Sequence, residues 1–227
     1  METPIISLKN ITVTQEKNTI IKNLNFEVFP GEFIYIIGKT GVGKSSLMKI
    51  LYADLDFVEG EAEVVGYNLK NIKDKNIPFL RRKLGIVFQD FKLLTDRSIF
   101  ENLDFVLKAT GWKNKIDRQN KIEEVLEKTA VKDKMYKLPH QISGGEQQRV
   151  AIARALLNDA DVILADEPTG NLDPHSSLEI MELLQELNRN GKTIIMATHD
   201  YALIMKYKSK TIKIEDSSLF EVETRSK

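Results

Sequence analysis

The sequence contains no cysteine, no long apolar run and no excess of charge of either sign. Without cysteine it can form no disulfide, no thiolate metal site and no cysteine nucleophile. No apolar run approaches the ~20 residues that a membrane-spanning helix needs, and the first ten residues lack the features of a signal peptide. Lys and Arg total 33, as do Asp and Glu, so the charge balance argues against nucleic acid as a partner. Any role at a membrane is therefore expected to be peripheral, on the cytoplasmic side.

The sequence does contain strand patterns that alternate with helix patterns. With 227 residues, 42% of them hydrophobic, the chain can form one large domain or two smaller lobes. Strands are predicted at Ile5–Thr14, Ile20–Phe29, Phe33–Ile37, Glu61–Tyr67, Leu84–Gln89, Asp161–Ala165 and Thr193–Ala197, with a hairpin over Thr211–Val222. Helices are predicted from about Gly43 to Tyr52, over Phe79–Lys83, across most of Ser98–Leu157 with a break at Gly111, and over Pro174–Arg189 and Tyr201–Lys206. This order predicts a parallel sheet covered on both faces, with the helical block as a second lobe.

A glycine-rich stretch lies between the apolar strand Phe33–Ile37 and a predicted helix. It has the pattern G-x-x-x-x-G-K-S, formed by Gly38, Lys39, Thr40, Gly41, Val42, Gly43, Lys44 and Ser45, and Ser46 follows. Its glycines let backbone N–H groups close around an anion, and the helix N-terminus adds partial positive charge. The Lys44 ammonium can reach the β- and γ-phosphates of a nucleotide, and the Ser45 hydroxyl can ligate Mg²⁺. A chance glycine-rich turn is the alternative, and the flanking strand and helix favour a nucleotide site.

Two carboxylates, Asp166 and Glu167, end the apolar strand that begins near Asp161. In a doubly wound sheet the carboxyl ends of strands face the ligand crevice, so both acids are expected beside the glycine-rich loop. Asp166 suits the binding of Mg²⁺ through water, and Glu167 is suited to orient or deprotonate the attacking water. An acid pair at a helix N-terminus would explain these two residues equally well by themselves. The glycine-rich loop favours the catalytic interpretation.

A second glycine pair opens the helix that follows Ile142. Its residues are Ser143, Gly144, Gly145, Glu146 and Gln147. Ser143 fits an N-cap with Glu146 at the capping-box position, so a well-capped helix is the simplest interpretation. Two glycines at a helix start also form a second anion site. Two separated phosphate-binding helix ends in one chain suggest a site that another subunit completes.

These motifs resemble those of the ABC ATPases, and they occur in that family's order along nearly the whole chain. Gly38–Ser45 resembles Walker A, Ile163–Glu167 Walker B, and Ser143–Gln147 the signature motif. Gln89 falls at the Q-loop glutamine, His199 at the switch histidine, and the D-loop corresponds to Asn171, Leu172 and Asp173. The resemblance implies an α/β P-loop NTPase with the ABC ATPase fold over residues 1–227. That fold has a mainly parallel RecA-like core (about 1–89 and 159–227), an antiparallel β region and an inserted helical lobe (about 90–158).

The same resemblance implies a mechanism. Two chains form a head-to-tail homodimer on binding ATP, and each ATP lies between Walker A of one subunit and the signature of the other. Glu167 and His199 would act on the attacking water and the γ-phosphate, while Ser45, Gln89 and Asp166 would hold Mg²⁺. A groove near Gln89–Thr95 would receive a helix of an integral membrane partner. Exposed Phe91, Leu93 and Leu94 would suit that contact, although ordinary lobe core explains them equally well.

One departure concerns the nucleotide base. ABC ATPases usually place an aromatic residue in the first hairpin turn to stack on adenine, and the expected position falls at about Gln15. No Phe, Tyr or Trp occurs between Met1 and Leu24. Stacking on the base is therefore expected to be weak or supplied elsewhere, with modest affinity for ATP and poor discrimination among nucleoside triphosphates.

Two stretches narrow the resemblance within the family. Ala165–Asp173 is similar to the branch of lipoprotein-release, macrolide-export and cell-division ATPases, and Val87–Asn102 is most similar to the cell-division (FtsE) subfamily. FtsE proteins pair with the membrane protein FtsX at the cytoplasmic face of the bacterial inner membrane, where ATP turnover controls peptidoglycan hydrolases outside the cell. The alternatives are the ATPase of a lipoprotein-release or efflux transporter, and a soluble ABC protein without a transport role. The soluble ABC protein is disfavoured, because such proteins usually carry two ATPase domains in one chain or a long coiled coil, and this sequence shows neither.

Overall fold

The computed structural model describes residues 3–15 and 18–222 of the chain. Its strands are β1 (Ile6–Gln15), β2 (Asn18–Val28), β3 (Phe33–Ile37), β4 (Glu59–Val64), β5 (Tyr67–Asn68), β6 (Leu84–Phe88), β7 (Val162–Asp166), β8 (Thr193–Ala197), β9 (Lys210–Glu215) and β10 (Ser218–Val222). Its α-helices are α1 (Lys44–Leu51), α2 (Ile77–Arg82), α3 (Ile99–Ala109), α4 (Lys115–Lys128), α5 (Gly144–Leu156), α6 (Pro174–Arg189) and α7 (Tyr201–Lys206). None of the helices in the described part of the chain has the length and hydropathy needed to cross a membrane.

The chain divides into two compact units. The first is built from the chain up to Arg81 and from Leu187 onward, and the second spans Arg82–Glu186. The second unit thus contains β6 and β7 as well as helices α3 to α5 and most of α6. The division into a RecA-like core and a helical lobe over residues 90–158 stays a prediction.

The first unit is organised around β3, whose residues are all buried. β3 pairs in parallel with β8 and with β9, and β10 pairs antiparallel with the outer side of β9. A second, antiparallel sheet has the order β2-β1-β4-β5. The unbroken apolar sequence of β3 fits a strand covered on both faces. Its one hydroxyl is satisfied, because Tyr35 Oη donates to the carbonyl oxygen of Tyr207 at 2.8 Å.

In the second unit, β6 and β7 form a parallel pair, and the unit also contains α3, α4, α5 and most of α6. Phe88 is paired with Asp166, so both strands end at the same level. Helix α5 approaches β6 closely, since a Cβ at Gly85 would lie 2.6 Å from the carbonyl oxygen of Ala155. Helices α3 and α5 each begin with a full capping box, at Ser98 and Ser143. The predicted cap at Ser143 is therefore confirmed.

Most predicted elements occur within two residues of their expected bounds, and one does not. The predicted strand Glu61–Tyr67 is divided into β4 and β5 by a turn at Val65 and Gly66. Both turn residues have positive φ, 44° and 83° respectively, which a continuous strand cannot accommodate. The apolar pair Val64–Val65 conceals this turn in the sequence. The first hairpin turn is only partly described: residues 16 and 17 and the side chains of Gln15 and Asn18 lie outside the described part of the chain.

Candidate active site

The glycine-rich loop joins β3 to α1 in the first unit. Gly38 is buried, and a Cβ there would lie 2.6 Å from the carbonyl oxygen of Ile214. Gly43 is the N-cap of α1 with φ 111° and ψ 8°, a left-handed conformation that glycine adopts without steric cost. The loop therefore needs glycine for its close approach to β9 and for the entry into α1.

Lys44 is the first residue of α1, and it is only 6% exposed. Its Nζ donates to the carbonyl oxygens of Gly38 at 2.9 Å and Lys39 at 3.2 Å. These bonds hold the ammonium against the loop rather than in solvent. Ser45 and the loop residues Lys39, Thr40 and Gly41 are exposed, while Val42 and Ser46 are half-buried. The arrangement suits a loop that presents one fixed cation and several polar groups to an anion.

His199 lies at the same edge of the first unit's sheet as the glycine-rich loop. β8 runs parallel to β3, with Ala197 opposite Ile36, and the backbone N–H of Thr198 donates to the Ile36 carbonyl at 3.1 Å. His199 follows at once and is exposed. The parallel register thus places His199 and the glycine-rich loop directly after the same end of two paired strands, and the action of His199 on a phosphate stays a prediction.

The acid pair ends β7 in the second unit. Four apolar residues of this strand are buried, and Asp166 and Glu167 at its end are half-buried. Glu167 has a left-handed backbone with φ 48°, unusual for a residue other than glycine, and its carbonyl accepts from the Gly170 N–H at 3.0 Å. Local backbone strain of this kind is concentrated at functional sites. The turn directs the chain from the acid pair into the D-loop.

Gln89 is tied to the D-loop by two reciprocal hydrogen bonds. Gln89 Nε2 donates to Asn171 Oδ1 at 3.1 Å, and Asn171 Nδ2 donates to the Gln89 carbonyl at 3.2 Å. Because Asn171 holds the amide nitrogen of Gln89, the same hydrogen bond also fixes the orientation of the Gln89 Oε1 atom. Sequence reasoning named both residues but missed their pairing, because nothing in either motif indicates the other.

The signature glycines lie against the D-loop region. A Cβ at Gly144 would lie 3.3 Å from Leu172 Cδ2, and one at Gly145 would lie 3.0 Å from Ser176 Oγ. Ser176 Oγ in turn donates to Asp173 Oδ2 at 2.5 Å, which is the main reason that the pKa of Asp173 is lowered. Both glycines therefore lie close to the segment that follows the acid pair, and a Cβ at either position would require the Leu172 or Ser176 side chain to shift slightly.

In the capping box at the signature, the side chains of Ser143 and Glu146 each accept a hydrogen bond from the other residue's backbone N–H. The Glu146 carboxylate accepts from the Ser143 N–H at 2.8 Å, and the Glu146 N–H donates to Ser143 Oγ at 3.2 Å. The bond from the Ser143 backbone is the largest reason that the pKa of Glu146 lies below its usual value. Gln147 Nε2 donates to the Ile142 carbonyl at 3.3 Å. These contacts hold the first turn of α5 in place.

The Gln89–Thr95 segment is partly exposed. Leu94 is 38% exposed, whereas Phe91 and Leu93 are half-buried, so only Leu94 matches the expectation of an exposed side chain outright. Buried Asn102 holds the segment: its Oδ1 accepts from the Leu94 N–H at 2.7 Å, and its Nδ2 donates to carbonyls of Leu94, Arg97 and Ser98. This anchoring role of Asn102 was not predicted, although Asn102 belongs to the stretch that distinguishes the subfamily.

The candidate metal ligands supply a hydroxyl at Ser45, a carboxamide at Gln89 and a carboxylate at Asp166. These are the oxygen donors that Mg²⁺ prefers, and Mg²⁺ usually adds water and substrate phosphate oxygens to one or two protein ligands. Within residues 3–15 and 18–222 there is no group of three or more His, Asp or Glu side chains that could hold a metal without such help. The three side chains named above are oxygen donors of the kind that Mg²⁺ binds, and their binding of this ion stays a prediction.

A family model described as "ABC transporter" matches residues 21–170, which is more than half of the chain. The chain belongs to the ABC transporter family. A second model, described as an AAA domain, matches the shorter range 138–205. The matched ranges together include every motif named above.

Curated relatives narrow the family. The cell division ATP-binding protein FtsE of Bacillus subtilis is 43% identical over 90% of this chain and 90% of its own length. FtsE of Streptococcus pneumoniae is 40% identical over 97% of this chain and 96% of its own. This protein is thus an FtsE-like ABC ATPase, an enzyme that binds and hydrolyses ATP.

Among solved structures, the ATP-binding cassette MJ0796 is 34% identical with a TM-score of 0.86, covering 97% of this chain and 99% of that one. That structure is a dimer in a post-hydrolysis state bound to ADP and Pi, and MJ0796 is elsewhere described as a bacterial ABC transporter cassette. The α/β fold of this ABC ATPase is therefore that of the dimeric cassettes, as the sequence predicts.

Proposed function

We propose that this ABC ATPase is the cytoplasmic subunit of an FtsE–FtsX-type complex, in which ATP turnover controls peptidoglycan hydrolases during cell division. The observation that carries the proposal is the 43% and 40% identity to FtsE proteins over nine-tenths or more of the chain. The Val87–Asn102 stretch adds support, since Asn102 anchors the segment that would meet the membrane partner. The protein would act at the inner face of the bacterial cell membrane as a peripheral subunit.

In the proposed reaction each residue has a defined task. The glycine-rich loop Gly38–Ser45 binds the phosphates of ATP, with Lys44 neutralising the β- and γ-phosphates. Ser45, Gln89 and Asp166 would hold Mg²⁺, which would offset the negative charge on the phosphates. Glu167 accepts a proton from the attacking water, and His199 contacts the γ-phosphate and helps to position that water.

The site is completed by a second copy of the chain. In a head-to-tail homodimer, Ser143 and the N–H groups of Gly144 and Gly145 would contact the γ-phosphate bound by the partner subunit. The capping box supports this role, because it holds the first turn of α5, and the backbone N–H groups of a helix's first turn have no acceptor within the helix. The dimeric state of MJ0796 supports the same assembly.

A transport complex is the second candidate. MJ0796, described as a bacterial ABC transporter cassette, is 35% identical over 97% of this chain. The chemistry and the site residues would be unchanged in a lipoprotein-release or efflux complex, and only the membrane partner would differ.

The deciding experiment is a pull-down of tagged Glu167→Gln protein with ATP from detergent-solubilised membranes of its own organism, followed by mass spectrometry. The substitution should slow hydrolysis and keep the complex assembled. Recovery of an FtsX-like protein with one large external loop supports the proposal, and recovery of a lipoprotein-release or efflux permease favours transport. A protein that also carries Lys44→Ala serves as the control without bound ATP. Recovery of no membrane protein would overturn both candidates.

A further inference from the structure

The chain directly after Gln89 adopts an unusual backbone. Phe91 and Lys92 are consecutive non-glycine residues with φ of 57° and 51°, in the left-handed region that L-residues rarely enter. Two such residues in succession persist only where the surroundings hold them. The contacts of this pair therefore indicate what the conformation is for.

Arg154, in the last turn of α5, holds both residues. One arm of its guanidinium donates to the Phe91 carbonyl at 2.8 Å and the other to the Lys92 carbonyl at 2.5 Å. Arg154 is half-buried, and burial lowers its pKa while the nearby Asp90 carboxylate opposes that effect; the guanidinium stays charged in either case. A planar fork can bind two adjacent carbonyls at once, which a lysine ammonium does less specifically.

The side chain of Phe91 reaches the other end of the same helix. A Cβ at Gly144, the first residue of α5, would lie 3.8 Å from Phe91 Cζ, an ordinary van der Waals distance. Between these two ends, Gln148 Nε2 donates to the Phe88 carbonyl at 3.4 Å. Helix α5 thus contacts the chain on both sides of Gln89, from the signature to its last turn.

We propose that Phe91 and Arg154 are positioning residues that couple the Gln89–Thr95 segment to the signature. Arg154 holds the Phe91 backbone in the left-handed conformation, and that conformation directs the ring onto Gly144. A displacement of the segment would move the ring away from Gly144, the first residue of the helix that carries the signature. This inference extends the proposed function, since docking of a membrane partner on the segment would supply the displacement, but the coupling itself belongs to the isolated chain.

A double-mutant cycle on ATP turnover by the purified chain tests the coupling. Phe91→Ala and Arg154→Lys should each lower kcat by about fivefold and leave KM within about twofold, because the P-loop that binds ATP is not touched. If the two residues act together, the kcat of the double variant should be no more than about twofold below that of the less active single variant. Independent residues would instead give the product of the two effects.

Two variants serve as controls. Arg149, on the same helix, contacts the Thr129 carbonyl and Glu179, so Arg149→Lys combined with Phe91→Ala should give multiplied effects. Phe91→Leu keeps an apolar side chain against Gly144 and should recover most of the lost kcat. Arg154→Gln provides a second test if Arg154→Lys lowers the yield of folded protein, as judged by circular dichroism.

Multiplied effects for the Phe91 and Arg154 pair, or wild-type kcat in either single variant, would overturn the inference. The proposed function is tested separately by the membrane pull-down with Glu167→Gln. If the two effects multiply and the pull-down recovers an FtsX-like partner, only the proposed coupling is contradicted. If the two effects do not multiply and the pull-down recovers no membrane protein, the proposed function is contradicted and the positioning role of Phe91 and Arg154 is retained.

Discussion

Gly170 lies where the turn after Glu167 passes the side chain of Gln89. A Cβ at Gly170 would be 2.8 Å from Gln89 Nε2 and 3.1 Å from Gln89 Cδ. The same amide nitrogen donates to Asn171. Because a glutamine side chain can rotate away, a methyl group at this position would displace Gln89 without breaking the fold.

We therefore predict that Gly170→Ala changes activity far more than stability. Loss of the Gln89–Asn171 bond should lower kcat by about tenfold, whereas the midpoint of thermal unfolding should shift by no more than about 3 °C. Steady-state ATPase kinetics and thermal scanning measure both quantities. In a Gln89→Ala background there is no side chain to displace, so adding Gly170→Ala should have little further effect. An equal further loss in that background would show that Gly170 acts through some other contact.

The missing aromatic residue near Gln15 leads to a second prediction at the residue scale. Without a ring to stack on the base, we expect ATP and GTP to bind with dissociation constants within about fivefold of each other. Gln15→Tyr should tighten the binding of both nucleotides by about tenfold, since every base offers a face to a ring. Equilibrium titration with each nucleotide tests this. A strong preference of the unmodified protein for ATP would contradict it.

At the scale of elements, helices α3 and α4 are joined by a largely buried ion pair. Asp104 Oδ1 accepts from Arg118 Nε at 2.6 Å, and Asp104 Oδ2 lies 2.7 Å from Lys108 Nζ. Burial alone would raise the pKa of Asp104, but the bonds from Arg118 and Lys108 outweigh it, so the pKa is lowered. Arg118 also donates to the carbonyls of Trp112 and Lys113, which fixes the connection between the helices.

We predict that Asp104→Asn lowers the free energy of unfolding by about 3 kcal/mol at pH 7, because it leaves Arg118 buried without its anion. A carboxyl whose pKa is lowered on folding stabilises the protein above its unfolded pKa, about 3.9, and that stabilisation is lost as the pH falls through the lower folded value. The difference between Asp104→Asn and wild type should therefore shrink below about pH 4. Urea titrations at several pH values measure it.

The matched control is Asp117→Asn, the same chemical change at an exposed position in the first turn of α4. It should cost no more than about 0.5 kcal/mol, because an exposed carboxylate near a helix N-terminus interacts with a screened dipole. Equal losses in the two variants would mean that burial of the Asp104–Arg118 pair contributes nothing special.

At the scale of the whole molecule, the site as proposed is complete only in a dimer. Glu167→Gln should remove the base, lower kcat by about a hundredfold or more, and retain ATP binding. The expected result is an ATP-dependent dimer that persists during size-exclusion chromatography with light scattering. Adding Lys44→Ala should abolish the dimer, since nucleotide binding is lost. A Glu167→Gln protein that still turns over ATP would remove Glu167 from the role of base.

The sequence by itself determined the motifs, their order and most of the elements that carry them. The strand β3, the glycine-rich loop and helix α1 follow from adjacent residues, because apolar runs, glycines and capping residues act within a few positions of each other. The capping box at Ser143 and Glu146 is local in the same way. The resemblance to ABC ATPases depends on these short stretches, and the comparisons with known proteins confirm the family.

Only the tertiary structure decided how the motifs of the second unit contact one another. Gln89 and Asn171 are 82 positions apart, and Arg154 holds carbonyls 62 and 63 positions away. The space around Gly144, Gly145 and Gly170 is likewise set by side chains from other elements. The left-handed backbone of Phe91 and Lys92 has no local signal, because neither residue favours it. Contacts between distant segments depend on how strands and helices pack, and a local sequence pattern carries no record of that packing.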